Sequence, residues 1–176
     1  MNSSMKLYAV GCLVALAALA LAEDSRTVAK HIQGEMDKYV AAVKKKNYKA
    51  ADAVILANFS PSCKLVGTDG KALPLKDWMK ENDDQFRSMK TLASISLRLT
   101  NPMLKGSSFT GTEKYSMTGT TVNPKDPKKT SKISITGVAD MQMVKKNGKW
   151  AVTKRTDKSV TVTIDGKTMP PAPPKK

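Results

Sequence analysis

The stretch VKKNGKW, residues 144–150, decides how the second half of this chain folds. Asn147-Gly148 is the dipeptide most typical of a tight β-hairpin turn, because both of its residues tolerate a positive φ. A segment of alternating apolar and polar residues precedes the turn, and Trp150 begins another segment directly after it. We therefore predict two antiparallel strands joined at residues 147–148.

Working outward from this hairpin, the same period of two recurs in several segments. It appears at residues 94–100, where Asn101-Pro102 is expected to end the strand, and again at residues 109–122 and 133–143. The residues from 123 to 129 are rich in Asn, Pro and Asp, which predicts a loop. A last alternating run at residues 160–164 is interpreted as an added edge strand or a short appended hairpin.

The first half of the chain shows helical spacing instead. A helix is predicted over residues 25–46, and Asn47 is expected to end it and to cap a second helix, which Pro61 ends. A short strand at residues 63–66 runs into the turn at residues 67–70. Pro74 suits the start of a third helix.

The order of these segments predicts an α+β fold. A sheet with one apolar face and one face of Thr, Ser and Lys needs a cover on one side only, and the helices lie together upstream of it. We therefore expect a strongly bent antiparallel sheet with about three N-terminal helices packed on its concave face.

The two ends of the chain are expected to lie outside this domain. Residues 1–22 combine Lys6, an apolar run and Ala20-Leu21-Ala22, which is typical of a signal peptide cleaved near Ala22. This predicts an exported protein, periplasmic or extracellular, with its domain at residues 23–165. Residues 166–176 are a tail rich in Pro and Lys.

Charge and composition narrow the classes of partner. The chain has a net charge of +15, and losing residues 1–22 with their one lysine would leave +14. The basic residues cluster at residues 44–46, 125–129, 145–149 and 154–158, which we place in turns and helix ends. They form no stripe with interleaved aromatic residues, so specific nucleic-acid binding is not indicated. Attraction to an anionic envelope surface needs no motif and stays open.

The sequence indicates neither a metal nor a cofactor. Beyond residue 22 it contains a single histidine, His31, and a single cysteine, Cys63, and no acidic residues cluster at metal-ligand spacing. We interpret His31 as a half-exposed structural residue. Cys63 is expected to be buried, because free cysteine is among the most buried residue types.

Residues 66–70 (VGTDG) and 144–150 (VKKNGKW), together with the order of the elements, resemble the nuclear-transport-factor-2-like superfamily. The resemblance covers roughly residues 25–156, and it is greatest to small single-domain bacterial members, most of which have no assigned activity. It implies the cone-shaped pocket also found in ketosteroid isomerases, scytalone dehydratase and polyketide cyclases. The isomerases rely on a tyrosine and protonatable acids that converge in the pocket, and the resemblance assigns no residues of this chain to those positions. The dehydratase relies on pocket histidines, and beyond residue 22 this chain has only His31.

Glu113 is the candidate catalytic residue. It shares strand parity with Phe109, Tyr115 and Met117, so it is expected to point into the concave face, where Tyr115 would assist it. A partly desolvated carboxylate can act as a general acid or base. The more conservative interpretation is that a bulge shifts this parity, or that Glu113 pairs with a lysine near the end of the sheet.

The candidate ligand-binding residues are apolar or aromatic: Tyr39, Trp78, Phe86, Phe109 and Met117. Aromatic residues at helical spacing are also typical of an ordinary core. The favoured hypothesis is an exported binding domain whose pocket takes a small apolar molecule or a peptide. The alternative is an isomerase, dehydratase or cyclase that uses a pocket carboxylate, and a homodimer formed through the sheet is a third possibility. Asp140 has the opposite parity and is expected to face solvent.

Overall fold

The computed structural model describes residues 24–123 and 126–169, and of Pro127 the backbone only. The signal peptide predicted at residues 1–22 and most of the tail predicted at residues 166–176 lie outside this part. Within it, no helix has both the length and the apolar content needed to cross a bilayer.

Three helices in the described part of the chain cover the sheet: α1 is Ser25–Lys44, α2 is Tyr48–Asn58 and α3 is Leu75–Ser88. Asp24 caps α1 by accepting a hydrogen bond from the backbone N–H of Thr27 at 2.7 Å. Asn47 caps α2 through the N–H of Ala50 at 3.1 Å, as predicted. Pro74 precedes the first residue of α3, which confirms its predicted place at the start of that helix.

The prediction that Pro61 ends α2 is wrong. The helix already ends at Asn58, and Pro61 lies inside strand β1, Phe59–Val66. The register between β1 and its neighbour shifts between Phe59 and Lys64. A proline is tolerated at such an irregularity because its missing N–H removes no ladder hydrogen bond there.

The sheet has seven strands. After β1 come β2 (Ala72–Leu73), β3 (Met89–Lys105), β4 (Ser108–Asn123), β5 (Asp126–Lys146), β6 (Lys149–Ile164) and β7 (Lys167–Thr168). Their order is β2-β1-β6-β5-β4-β3, and β7 pairs with the end of β6. The strands β1 and β6 run parallel, so the sheet is mixed and the prediction of a purely antiparallel sheet is wrong at this pair.

Three of the strand limits differ from the predictions. Asn101-Pro102 does not end β3: Asn101 takes a φ of 51°, the register shifts, and the strand continues to Lys105. The loop predicted at residues 123–129 is shorter, because β5 begins at Asp126. The run at residues 160–164 is neither an added strand nor an appended hairpin but the second half of β6, paired with β5 as far as Ile164.

The helices pack on one face of a bent, unclosed sheet, which confirms the α+β fold. The hairpin of residues 144–150 forms as predicted, with Asn147 and Gly148 both at positive φ. Cys63 is buried in the core with Leu65 and Val152, as expected. Burial raises the pKa of its thiol to about 11.

Candidate functional site

A cavity of about 290 Å³ lies between the three helices and the concave face of the sheet. Most of its wall is apolar, with Ile32, Met36, Ile55, Ile95 and Ile135 among the lining residues. Six of the nine aromatic residues of the chain also line it. These are Tyr39, Phe59, Trp78, Phe86, Tyr115 and Trp150.

One group of charged side chains is buried in this wall, and we call Glu113, Arg155 and Asp157 the acid–arginine cluster. Arg155 donates from Nε to Glu113 Oε2 at 3.0 Å and from Nη1 to Asp157 Oδ1 at 2.8 Å. The side chain of Arg155 is only 7% exposed, that of Glu113 10% and that of Asp157 18%. The hydroxyl of Tyr115 donates to Asp157 Oδ1 at 3.3 Å. A buried cation is thus satisfied by two carboxylates, as its desolvation requires.

The cluster spans three strands, because small residues on the middle strand leave space above it. Glu113 on β4 pairs with Ala139 on β5, which in turn pairs with Asp157 on β6. Ala139 has no larger side chain to separate the acids from Arg155. A Cβ on Gly137 would lie 2.2 Å from Cζ of Tyr115, so the Tyr115 ring crosses β5 directly over this glycine to reach Asp157.

Two irregularities in β6 turn Arg155 and Asp157 inward. Between β5 and β6 the register shifts first at Gln142/Met143 and again at Val138/Ala139. The first shift leaves Thr153 as an extra residue, so that Arg155 lies beside buried Met141, and the second leaves Lys158 as an extra residue. Each bulge reverses the alternation of side chains along the strand. Arg155 and Asp157 therefore share the concave face with Val152 before them and Val162 after them.

Aromatic rings complete the surroundings of Arg155. Its Cζ lies 5.7 Å from the centroid of the Trp78 ring and 5.4 Å from that of Tyr115. Trp78 in turn stacks on Phe59 with centroids 5.7 Å apart. Guanidinium groups stack favourably on such faces, so the rings hold the arginine in place from α3 and from the sheet.

The pKa values of the cluster and its neighbours follow from this burial. Desolvation by itself lowers the pKa of Arg155, but the charges of Glu113 and Asp157 outweigh it and raise that pKa above its usual range. Burial and then the charge of Asp157 raise the pKa of Tyr115 to about 12. Burial and then the charge of Glu113 raise the pKa of Tyr39. Both phenols therefore stay protonated at neutral pH.

Two of the polar atoms along the cavity wall, on Glu113 and Tyr39, have no hydrogen-bond partner among the described residues. Glu113 uses Oε2 for Arg155 and makes no other hydrogen bond to the described residues. No fully buried side-chain oxygen or nitrogen in that part of the chain lacks a partner, so Oε1 of Glu113 is accessible from the cavity. The same reasoning applies to the hydroxyl of Tyr39, which has no hydrogen-bond partner in residues 24–123 and 126–169.

The structure places Glu113 where strand parity predicted it. The strand carries no bulge at this point, and the partner of Glu113 is Arg155, so both conservative interpretations, a bulge and a lysine partner, are wrong. Asp140 lies on the outer face and pairs with Lys158 at 3.2 Å, as its parity predicted.

Most of the predicted ligand-binding residues lie in the cavity wall, namely Tyr39, Trp78, Phe86 and Met117. Phe109 does not: it is completely buried in the core, edge-on to Trp150 with centroids 6.1 Å apart. His31 is at the exposed rim of the cavity. The roles of these residues stay predictions.

Arg155 and Asp157 are not among the site residues that the sequence predicts. Its pattern predicts a solvated basic cluster at residues 154–158, whereas Arg155 is one of the most buried charged residues that the structure describes. A usable indication was present: Arg155 and Asp157 are two apart, and such residues share one face of a strand. An inward Glu113 on a nearby strand needs a cation of this kind.

Nothing in the described part of the chain resembles a metal centre, since no three His, Cys, Asp or Glu side chains there converge closely enough to hold an ion. The acid–arginine cluster and the two phenols are the polar groups that the sheet and α1 contribute close to one another in the cavity wall.

No family model and no curated protein matches the sequence. Solved structures do match its fold. Kfla4162 from Kribbella flavida is 12% identical with a TM-score of 0.58, covering 78% of this chain and 95% of that one. A nuclear transport factor 2-like superfamily protein from Salmonella enterica is 16% identical with a TM-score of 0.51, covering 76% and 92%. A protein of the same description from Cytophaga hutchinsonii is 9% identical with a TM-score of 0.51, covering 78% and 99%.

The chain therefore has the nuclear-transport-factor-2-like fold, as its sequence led us to expect. Identities this low establish the fold alone, and the same fold supports many unrelated functions. The function has to be argued from the cavity itself.

Proposed function

We propose that this domain binds a small, mainly apolar molecule in its cone-shaped cavity and performs no chemistry on it. The observation that carries the proposal is a concave, largely apolar wall in which one group of buried charges, the acid–arginine cluster, is held in place at the sheet. Ligand sites are typically of this kind, with a few polar groups that orient the ligand, and they begin at about 300 Å³. The cavity volume, about 290 Å³, suits one small molecule better than a peptide.

The acid–arginine cluster supports binding because its groups already satisfy one another. Arg155 is held by both carboxylates, and the proton of Tyr115 is directed at Asp157 rather than at the cavity. Such a network keeps its geometry without a ligand, so its side chains lose little conformational entropy when a ligand binds.

The alternative is an enzyme of the isomerase, dehydratase or cyclase kind. Its support is the carboxylate oxygen Oε1 of Glu113 and the phenol of Tyr39, both accessible from the same cavity. An acid or base must reach the proton that it transfers, and these two groups meet that condition. If a turnover assay is found, a rate loss of about 10² to 10⁴ on Glu113→Gln would favour this alternative.

We further propose that the domain works outside the cytoplasm, on the basis of residues 1–22. The excess of basic residues would then bring it to anionic envelope surfaces through charge alone. We also propose that two copies pair through the outer face of the sheet.

The binding proposal is tested with 1-N-phenylnaphthylamine, a neutral apolar dye of suitable size whose fluorescence rises in dry surroundings. We expect saturable binding of about one dye per chain. Val162→Trp places an indole in the cavity wall and should weaken dye affinity about tenfold or more, because it fills space that the dye needs.

Val144→Trp is the matched control. Val144 is on the outer face of β5 and exposed, so the same substitution there should leave dye affinity unchanged. Dye fluorescence that never saturates, or an equal effect of the two substitutions, would contradict binding in the cone.

A further inference from the structure

The charge of the cavity is opposite to that of the protein. The chain has 30 Lys and Arg against 15 Asp and Glu. The ionised groups that line the cavity are nevertheless three carboxylates, Glu35, Glu113 and Asp157, against the single guanidinium of Arg155. No lysine of the described residues lines it, so the basic excess is carried on the outside of the domain.

We propose that the natural ligand is an organic cation, an apolar body with an ammonium group that contacts Oε1 of Glu113. This inference rests on the proposed binding function and specifies the chemical class of the ligand. Among the described residues, Glu113 is the nine-tenths buried carboxylate in this wall that has one oxygen bound to Arg155 and the other without a partner and accessible from the cavity.

An anionic ligand fits this cavity poorly. Of the described residues, Arg155 is the only Lys or Arg in the wall, and it already donates to two carboxylates at 3.0 and 2.8 Å, so the acid–arginine cluster has a net negative charge. An anion placed beside Arg155 would be repelled by both acids in surroundings where little water screens the charges. An ammonium group is attracted to the same acids.

The charge is concentrated at the sheet and not at the rim. Glu35 also lines the cavity, but Lys38 Nζ lies 2.6 Å from its Oε1 and Asn58 donates to its Oε2 at 3.1 Å. The lysine offsets its charge, and these contacts lower the pKa of Glu35. Glu113 is therefore the carboxylate that attracts a cation, and Glu35 provides an internal comparison.

The aromatic wall suits a cation as well. Ammonium groups, quaternary ones above all, bind against the faces of aromatic rings. Trp78 and Tyr115 are occupied by Arg155, whereas Tyr39 lines the same cavity as Glu113, and burial and then the charge of that carboxylate raise its pKa. Tyr39 and Glu113 together offer a cation a ring and a negative oxygen.

The test compares three probes of one shape as competitors of 1-N-phenylnaphthylamine on the intact domain. Benzyltrimethylammonium is the cation, neopentylbenzene is its neutral isostere with carbon in place of nitrogen, and phenylmethanesulfonate is the anion. We expect the cation to bind about tenfold or more tightly than the neutral isostere, a typical worth for a desolvated cation–π and charge contact. The anion should bind most weakly.

Two substitutions locate the preference. Glu113→Gln should bring the cation and the neutral isostere to within about twofold of each other, while neopentylbenzene still binds. Glu35→Gln, the same change at the rim, should alter the preference much less, because the lysine that it leaves unpaired, Lys38, has a side chain 66% exposed and is screened by water. If Glu113→Gln fails to fold, the order of the three probes on the unmodified protein still decides.

The outcomes separate the two proposals. Equal affinity for the cation and its isostere, or a preference for the anion, overturns the cationic ligand and leaves the apolar binding site intact. A cation preference that survives in Glu113→Gln also overturns it, because the charge then comes from elsewhere. Absence of saturable dye binding overturns the binding function itself.

Discussion

Strands β4 and β6 both contribute charged residues to the cavity. The inward orientation of these residues can be predicted from the alternation of the sequence in β4 but not in β6. Along β4 the alternation is unbroken past the cavity, and Phe109, Glu113 and Met117 all face inward. Along β6 two extra residues interrupt the alternation, so Arg155 and Asp157 face inward at positions that a simple count from Trp150 assigns to the outside. Regular strands can therefore be interpreted by parity, and bulged strands cannot.

The largest loss of stability should come from removing the charge of Arg155, which the bulged strand β6 supplies. In Arg155→Met, Glu113 and Asp157 remain buried without their cation, and breaking a buried ion pair in this way costs about 3–5 kcal/mol in the free energy of unfolding. Urea denaturation measures it. Arg98→Met, an exposed arginine on β3, is the control and should change stability by less than about 0.5 kcal/mol. Similar losses for the two variants would show that Arg155 is not structurally engaged.

A smaller loss of stability is expected from a substitution on β5, the strand between β4 and β6. Gly137→Ala puts a Cβ at 2.2 Å from the Tyr115 ring and 2.7 Å from the carbonyl oxygen of Ser159, so ring or backbone must shift. We expect a loss of about 1–3 kcal/mol, typical of overpacking.

The matched control is Gly34→Ala, because Gly34 lies within α1 and a Cβ added to it would meet no other atom within 4 Å. Alanine there should stabilise the domain by about 0.5–1 kcal/mol, since glycine is a poor helix residue. Thermal unfolding of the two variants should therefore move in opposite directions. A stabilising Gly137→Ala would mean that Tyr115 does not cross β5.

The smallest loss of stability is expected from removing the hydrogen bond between Tyr115 on the regular strand β4 and Asp157 on the bulged strand β6. Tyr115→Phe removes the hydroxyl that donates to Asp157 at 3.3 Å, and Asp157 keeps Arg155 as a partner. The expected loss is about 0.5–1.5 kcal/mol by urea denaturation. Tyr48→Phe, at a ring stacked on Phe86 on the helical side, should cost less. An unchanged stability in Tyr115→Phe would indicate that this bond adds nothing to the cluster.

Much of the fold was accessible from the sequence because it depends on local rules. The caps at Asn47 and Pro74 and the hairpin at Asn147-Gly148 are found where their residue types predicted them. The errors share a cause. Pro61 and Asn101-Pro102 were interpreted as strand or helix ends, but irregular pairing absorbed them within long strands. Whether a residue such as proline ends a strand or is accommodated in a bulge depends on the pairing with the neighbouring strand.

Some features of the candidate site also follow from local sequence rules, and others depend on tertiary contacts. The sequence by itself offered the inward orientation of Glu113, because apolar neighbours of the same parity must be buried, and left a bulge as the alternative. The register of β4 against β5 then showed that the strand is regular at this point. Only the tertiary structure decided what Glu113 meets. Arg155 reaches it through a bulge at Thr153, over Ala139, and Asp157 and Tyr115 meet over Gly137. These contacts join residues some 40 positions apart, and their geometry is set by the register of three strands, which no local pattern encodes.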